Sequence, residues 1–374
     1  MIIVEDVAVY HEGGGASQYH FNMLKQIRFD GHRHYYSADS LDAFIERKYR
    51  IKFAGFHVPF PAESDWIERL NKIYNATDRI FVFCSELHIR TQEQLRQLDK
   101  PKITIFVNGA FRDSFNHARV YPWMDWFTQT LYFYKELHPG FFDTKLLPGI
   151  KPMAFDALLG AQRTHRDFIH NWVKDNQLDQ QVYMTYYHNI TTRLDNNPNF
   201  AMEIEGVEII PDLKFTHSID HVLYHGHRLG ISCVVPISIY NQTNYTIVAE
   251  TNFENHYNFY TEKIVKPIMS RRLFIVVAGQ NYLKNLRQFG FRTFDGIIDE
   301  SYDNEPDSWQ RWTKAMQQVS WLCKQDPAII MAQAKEIVEH NHRVMFERDW
   351  YDEFSTRLDQ EIRPYFQGLN LRQV

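Results

Sequence analysis

A chain of 374 residues is long enough for two domains of ordinary size, and its 44% hydrophobic and 23% charged content are those of a globular protein. The formal net charge of −5 excludes a generally basic nucleic-acid binder, though not a local basic face. No apolar run approaches the length of a membrane span, and neither repeats nor low-complexity tracts occur. Met1 to Asp6 lack a basic segment followed by an apolar core, so no signal peptide is expected. The three cysteines, Cys84, Cys233 and Cys323, form no Cys-x-x-Cys pair and read as reduced thiols of a cytoplasmic protein. Aromatic residues reach 15%, enough for a large aromatic core with some left over as stacking surface.

The first 150 residues have an α/β rhythm. Ile2–Val9 reads as a strand, then a glycine-rich turn from His11 to Ser17 leads into a helix from about Gln18 to Gln26. Glycines let the backbone come close to a ligand, so Glu12 and Gly14 are candidates for the acceptor side of a site. The other reading is a tight strand–helix connection, since the loop lacks the ending of a P-loop. Trp66–Tyr74 and Gln92–Leu98 read as helices, Arg79–Cys84 and Ile103–Val107 as buried strands. Glu86 and Asn108 fall just past the carboxyl ends of those strands, where α/β sheets carry working residues. Tyr121–Tyr134 is densely aromatic.

Pro139-Gly140 and Pro148-Gly149 punctuate a stretch of little periodicity between about 135 and 165, which places a domain boundary near 150. Arg163-Thr164-His165-Arg166 opens a helix continuing through Phe168–Val173; two guanidiniums at a helix start suit a phosphate. Val182–Tyr187, Ser232–Ile239 and Tyr245–Ala249 read as strands of a second sheet. Val248–Gly290 is the stretch richest in signals. A β-branched strand ends at Glu250, a polar and aromatic loop follows, and Thr261 is placed to cap a helix with Ile264, Val265, Ile268 and Met269 on one face. A strand over Leu273–Ala278, Gly279 and a helix from about Tyr282 to Phe289 complete it. A lysine in the first turn opposes the helix dipole, so Lys263 asks for a reason, and an anion at the free amides supplies one. Glu262 is a candidate acceptor for ribose hydroxyls; the competing reading is a surface helix with ordinary charges. Helices over Ser308–Cys323, Pro327–His340 and Trp350–Ile362 close the chain.

Phe253-Glu254-Asn255 followed by Tyr260-Thr261-Glu262-Lys263-Ile264, an apolar strand and a glycine resembles the donor-binding motif of the α-1,3/1,4-fucosyltransferase family. Lys151 to Phe155 and Arg163 to Arg166 are similar to the segment opening the second domain of such enzymes and their virus-encoded relatives. Ile298 to Asp303 is similar to the family's later acidic segment. The likeness covers roughly residues 150–320 and leaves the first 150 without a match. It implies two Rossmann-like domains facing across a cleft (the GT-B architecture): 1–150 on the acceptor side, 151–345 binding a nucleotide-diphosphate sugar, and 346–374 as a helix crossing back. It further implies inversion at the anomeric carbon, although the spacing of Glu254 and Glu262 also fits the paired glutamates of retaining families. Donor-binding roles are thereby expected for Arg163, Arg166, Glu254, Asn255, Thr261, Glu262 and Lys263.

An inverting transferase needs a base for the acceptor hydroxyl, and Glu86 is the first candidate, with Glu12, His57 and Asp113 competing. No carboxylate or cysteine completes the alternating histidine pairs His32/His34, His225/His227 and His340/His342, and no Asp-x-Asp pair stands ready for a divalent cation. Neither a metal nor a cofactor is therefore expected, and cations would carry the leaving diphosphate. The acceptor is left open between a glycan and a hydroxymethylated pyrimidine in phage DNA, with a cytoplasmic location in a bacterium or a phage-infected host. The alternative from another class is a non-catalytic nucleotide-sugar or carbohydrate-binding protein.

Overall fold

The computed structural model describes residues 5–12, 33–58, 65–84, 89–111, 114–123, 125–137, 140–187, 207–209, 221–224, 227–253 and 257–367. It is a mixed α/β chain with two parallel sheets. Two compact units result: Met1–Asp125 with Asp349–Val374, and Trp126–Arg348.

In the first unit, β1 (Glu5–Glu12), β2 (Arg33–Tyr36), β3 (Tyr49–Val58), β4 (Arg79–Cys84), β5 (Ile103–Asn108) and β6 (Arg119–Trp123) form one sheet in the order β2-β1-β3-β4-β5-β6. Every pairing is parallel. β4 and β5 are buried at every position, as continuous apolar runs are when both faces of a parallel sheet are covered. Part of the cover is the helix Trp350–Ile362 with the turn after it. Leu358, Ile362 and Phe366 join Val7, Ile51, Phe53 and Phe81 in one core, and Phe354 sits edge-on to Phe106 with ring centroids 5.0 Å apart. Glu361 fixes that helix by charge. Its carboxylate accepts from Arg79 Nη2 (2.7 Å), Arg119 Nη1 (2.7 Å), Tyr121 Oη (2.9 Å) and Thr104 Oγ1 (3.1 Å). These bonds, with Arg119 leading after the cost of burial, hold the acid below the ordinary glutamate range.

The second unit carries β7 (Met153–Ala161), β8 (Val182–Tyr187), β9 (Thr243–Ala249) and β10 (Phe274–Val277) in the order β10-β9-β7-β8, again all parallel. A three-stranded antiparallel sheet of Val207–Ile209, His221–Tyr224 and His227–Gly230 stands apart from it. The break between units falls at Asp125/Trp126, ahead of the Pro-Gly punctuation, and divides the aromatic segment: Tyr121 and Trp123 join the first unit's core, and the part from Phe127 on packs into the second unit. Phe127 lies against Phe291, Tyr134 against Phe141 and Phe142, and the Tyr134 hydroxyl accepts from Val235 N at 2.8 Å.

The structure corrects two sequence expectations. The stretch before residue 165 holds β7, a central strand, whose apolar run is interrupted by a fully buried aspartate. Asp156 is there because Arg272 meets it at 2.7 Å, and Thr243 and Thr246 hydroxyls bond the same oxygen. Ser232–Ile239, expected as a strand, is a 3-10 turn (Ile231–Cys233) and a short helix (Ile237–Tyr240). Pro236 has no N–H for a ladder, and its carbonyl accepts from Tyr240 N at 2.9 Å instead.

Replacing Glu361 by alanine strands the buried Arg79 guanidinium and should cost about 3–5 kcal/mol, whereas Arg119→Ala, at a partner 58% exposed, should cost less than about 1 kcal/mol. Urea unfolding of both variants measures this; equal losses would contradict the assignment of Glu361 as the anchor.

Candidate functional site

The helices of the second unit that matter are α1 (Thr164–Asp175), α2 (Glu262–Met269), α3 (Tyr282–Gln288) and α4 (Ser308–Leu322). β9 ends at Ala249, and the next two residues, Glu250 and Thr251, lie where the chain leaves the sheet. Glu250 is fully buried, yet its carboxylate accepts from Thr251 N (2.9 Å), Thr261 N (3.1 Å), Thr261 Oγ1 (2.8 Å) and Tyr282 Oη (2.9 Å). Its carbonyl oxygen bonds His165 Nε2 at 2.7 Å. One side chain with its own carbonyl thus ties the end of β9 to the starts of α1, α2 and α3. Burial pushes this carboxyl above the ordinary glutamate range, against the pull of the Lys263 ammonium.

Thr261 has extended backbone and caps α2, its hydroxyl oxygen accepting from Lys263 N at 3.3 Å while donating to Glu250. The Lys263 ammonium donates to Glu262 Oε1 (2.6 Å), Thr251 Oγ1 (3.0 Å) and Thr261 Oγ1 (3.4 Å), and its side chain stays 24% exposed. Glu262 is buried. Burial alone would raise its carboxyl, but Lys263 and Lys266 hold it below the ordinary value. Pro267, inside α2, cannot donate to the carbonyl one turn earlier. Arg271, at a left-handed φ of 52°, ends the turn, with Arg272 N reaching back to Pro267 O at 3.0 Å.

From the other side, Arg163 Nη1 donates to Thr251 O at 3.1 Å. Lys263 and Arg163 therefore both hold Thr251, one at its hydroxyl and one at its carbonyl. Arg166 is buried in the first turn of α1, its Nη1 3.7 Å from where a Cβ on Gly160 would sit. Gly160 takes φ +57° beside an irregularity in the β7–β8 register, a conformation that costs glycine little. The imidazole of His165 registers all these charges. It is held well below the usual histidine value, by burial first, then by Arg166, Arg163 and Lys263, against the bond to the Glu250 carbonyl.

Four expected residues thus meet around Thr251, namely Arg163, Thr261, Glu262 and Lys263, while Arg166 is buried in the first turn of α1. Asn108 is buried at the end of β5 and the Glu12 backbone ends β1, both in the first unit. His57, near the end of β3, is pushed below the usual histidine value by burial. Gly14, Glu86, Asp113, Glu254 and Asn255 lie outside the described residues. Sequence reasoning missed Glu250, Thr251, His165 and Tyr282 as parts of the site. The available signal was an acid directly after the apolar run Ile247-Val248-Ala249, a position where burial is costly without partners. The acidic segment has a structural duty. Asp303 accepts from Leu283 N and Lys284 N at 2.9 Å each and so caps α3, and Glu300 accepts from Phe294 N at 2.6 Å. The basic group Lys263, Lys266, Arg271 and Arg272 is not one surface either, since Lys266 donates to Ser232 O and Arg272 is buried on Asp156.

Among the described residues, Arg163, Arg166 and Lys263 set three cations against two carboxylates, Glu250 and Glu262, at the carboxyl end of a parallel strand. Such an excess beside a capped helix start can hold an anion with two or more oxygens. Among the described residues no group of three His, Cys, Asp or Glu is placed to hold a metal ion, and no helix is long and apolar enough to cross a membrane. No protein-family model matches the chain, and no curated protein matches it.

A histidine kept neutral by the fold, with an unfolded value of about 6.5, supports stability above that pH and loses the support as pH falls below it. Melting curves of wild type and His165→Gln between pH 8 and 5 should show the wild-type advantage shrinking toward low pH. A difference that stays constant would remove His165 from the buried, cation-flanked state.

Proposed function

We propose that the second unit binds the diphosphate of a nucleotide sugar and that the chain is a glycosyltransferase delivering that sugar to a hydroxyl. The observation that carries this reading is the meeting of Lys263 and Arg163 on Thr251, beside the capped start of α2. In the transfer, the bond from the anomeric carbon to the diphosphate oxygen breaks and negative charge grows on the leaving group. Cations held in place before the reaction stabilise that charge without reorganising, and this is the main way such a site can lower the barrier. Glu262 serves by orienting the Lys263 ammonium. The acceptor hydroxyl gives its proton to a base as it attacks, and Glu86 is the candidate on the acceptor side. This reading implies a GT-B arrangement of the two units, supported by a parallel α/β sheet in each. The resemblance to fucosyltransferases adds inversion at the sugar carbon, and the want of an Asp-x-Asp pair in the sequence is the ground for a metal-independent reaction. A glycan is the acceptor we favour over a modified base in DNA, because Lys266 and Arg272 are buried and do not add to a basic face.

A thermal-shift panel of GDP, UDP and dTDP sugars should raise the melting temperature with one nucleotide class. Lys263→Ala should abolish that shift and lower turnover about 10²–10³-fold. No shift with any nucleotide sugar would overturn the proposal. Tight nucleotide binding without transfer or donor hydrolysis would show a nucleotide-sugar-binding protein instead.

A further inference from the structure

On α1, the residues that bury against the sheet are His165, Arg166, Ile169 and Val173. The opposite stripe, at the three- and four-residue spacing that places side chains on one face, carries Asp167, Phe168, Asn171, Trp172 and Asp175. These five, with Trp309 from the first turn of α4, line a cleft of about 470 Å³. We propose that this cleft holds a neutral carbohydrate, at a place distinct from the anion site; the inference stands whether or not the chain transfers sugars.

Three observations carry it. First, Trp309 is 55% exposed although it is braced from behind, with ring centroids 5.6 Å from Phe168 and 5.3 Å from Trp312 at steep angles of 69° and 62°. A large indole face left open to water but fixed in direction is a platform for the C–H face of a pyranose ring. Second, the polar groups beside it are two carboxylates (Asp167, Asp175), two amides (Asn171, Asn176) and the Thr164 hydroxyl, and the planar ones pair with neighbouring hydroxyls of one ring. Third, no lysine or arginine lines the cleft, which excludes phosphates, nucleotides and nucleic acid as its occupant. An ammonium ligand would want several ring faces around it. Phe168 instead turns its ring toward Trp172, Trp309 and Trp312, and leaves one open indole. The floor is held by Trp172 Nε1, which donates to Ser320 Oγ of α4 at 3.0 Å and keeps the two helices in register. The volume suits a mono- or disaccharide, being within the range of about 300–1,000 Å³ typical of ligand sites.

The test is calorimetric titration of the full chain with maltotriose, N-acetyllactosamine and chitotriose, alongside a lysine-rich peptide as the cationic control. At least one oligosaccharide should bind, and both Trp309→Ala and Asn171→Ala should weaken it about tenfold or more. Asn171 is exposed, so its removal leaves the fold intact if Trp309→Ala does not. Lys263→Ala should bind the sugar as wild type does, which separates this cleft from the anion site. Absence of oligosaccharide binding up to about 10 mM, binding indifferent to both cleft variants, or loss in Lys263→Ala would overturn the proposal. So would preferential binding of the cationic peptide.

Discussion

The second unit depends on one buried carboxylate. Glu250 lies at the point where β9 leaves the sheet, with no exposed surface, and its acceptor capacity is met by an amide and a hydroxyl of Thr261, the amide of Thr251 and the phenol of Tyr282. An acid so placed is costly unless its partners arrive together, because breaking one bond leaves the rest of the charge without water. That cost makes the arrangement all-or-none. If Glu250 is satisfied, α2 begins at Thr261 and α3 begins at Tyr282, and the Glu250 carbonyl holds His165 at the start of α1. The positions of Lys263, Arg163 and Arg166 follow from that junction.

A comparison within the same sheet separates structural charge from chemical charge. Asp156 lies in the first half of β7 and Arg272 just before β10. The guanidinium there donates to Asp156, to the hydroxyls of Thr243 and Thr246, and to the carbonyls of Tyr240, Thr243 and Tyr245. The guanidinium keeps no donor for a ligand, and Tyr240 covers its face at 4.1 Å. At the carboxyl ends of the strands the balance differs. Lys263 keeps a quarter of its surface exposed, and among the described residues the cations outnumber the carboxylates. A closed pair stabilises the fold; an open surplus of positive charge calls for an anion. The two flanks of α1 differ accordingly, the inner one burying His165 and Arg166 and the outer one bearing carboxylates and an indole along the cleft.

Much of this was legible in the sequence where local chemistry is self-sufficient. Arg79–Cys84, Val182–Tyr187 and Trp350–Ile362 have the bounds their apolar patterns imply, and Thr261 caps its helix as its residue type suggests. Reading failed where a distant partner decides. Met153–Ala161 has no clean periodicity because its aspartate is offset by an arginine far along the chain. Ser232–Ile239 is apolar enough for a strand, yet one proline diverts it. The convergence of Arg163 and Lys263 could be suspected from charge, whereas the residue that joins them, Thr251, carries no signal of its own.

The central claim is that Arg163 and Lys263 grip one anion, and a double-mutant cycle tests it most directly. UDP, GDP and dTDP would be titrated calorimetrically into wild type, Arg163→Ala, Lys263→Ala and the double variant. Shared contact with a single diphosphate predicts that the two losses are not additive, with a coupling of about 1 kcal/mol or more. Strictly additive losses, or nucleotide affinity that neither substitution changes, would contradict the account.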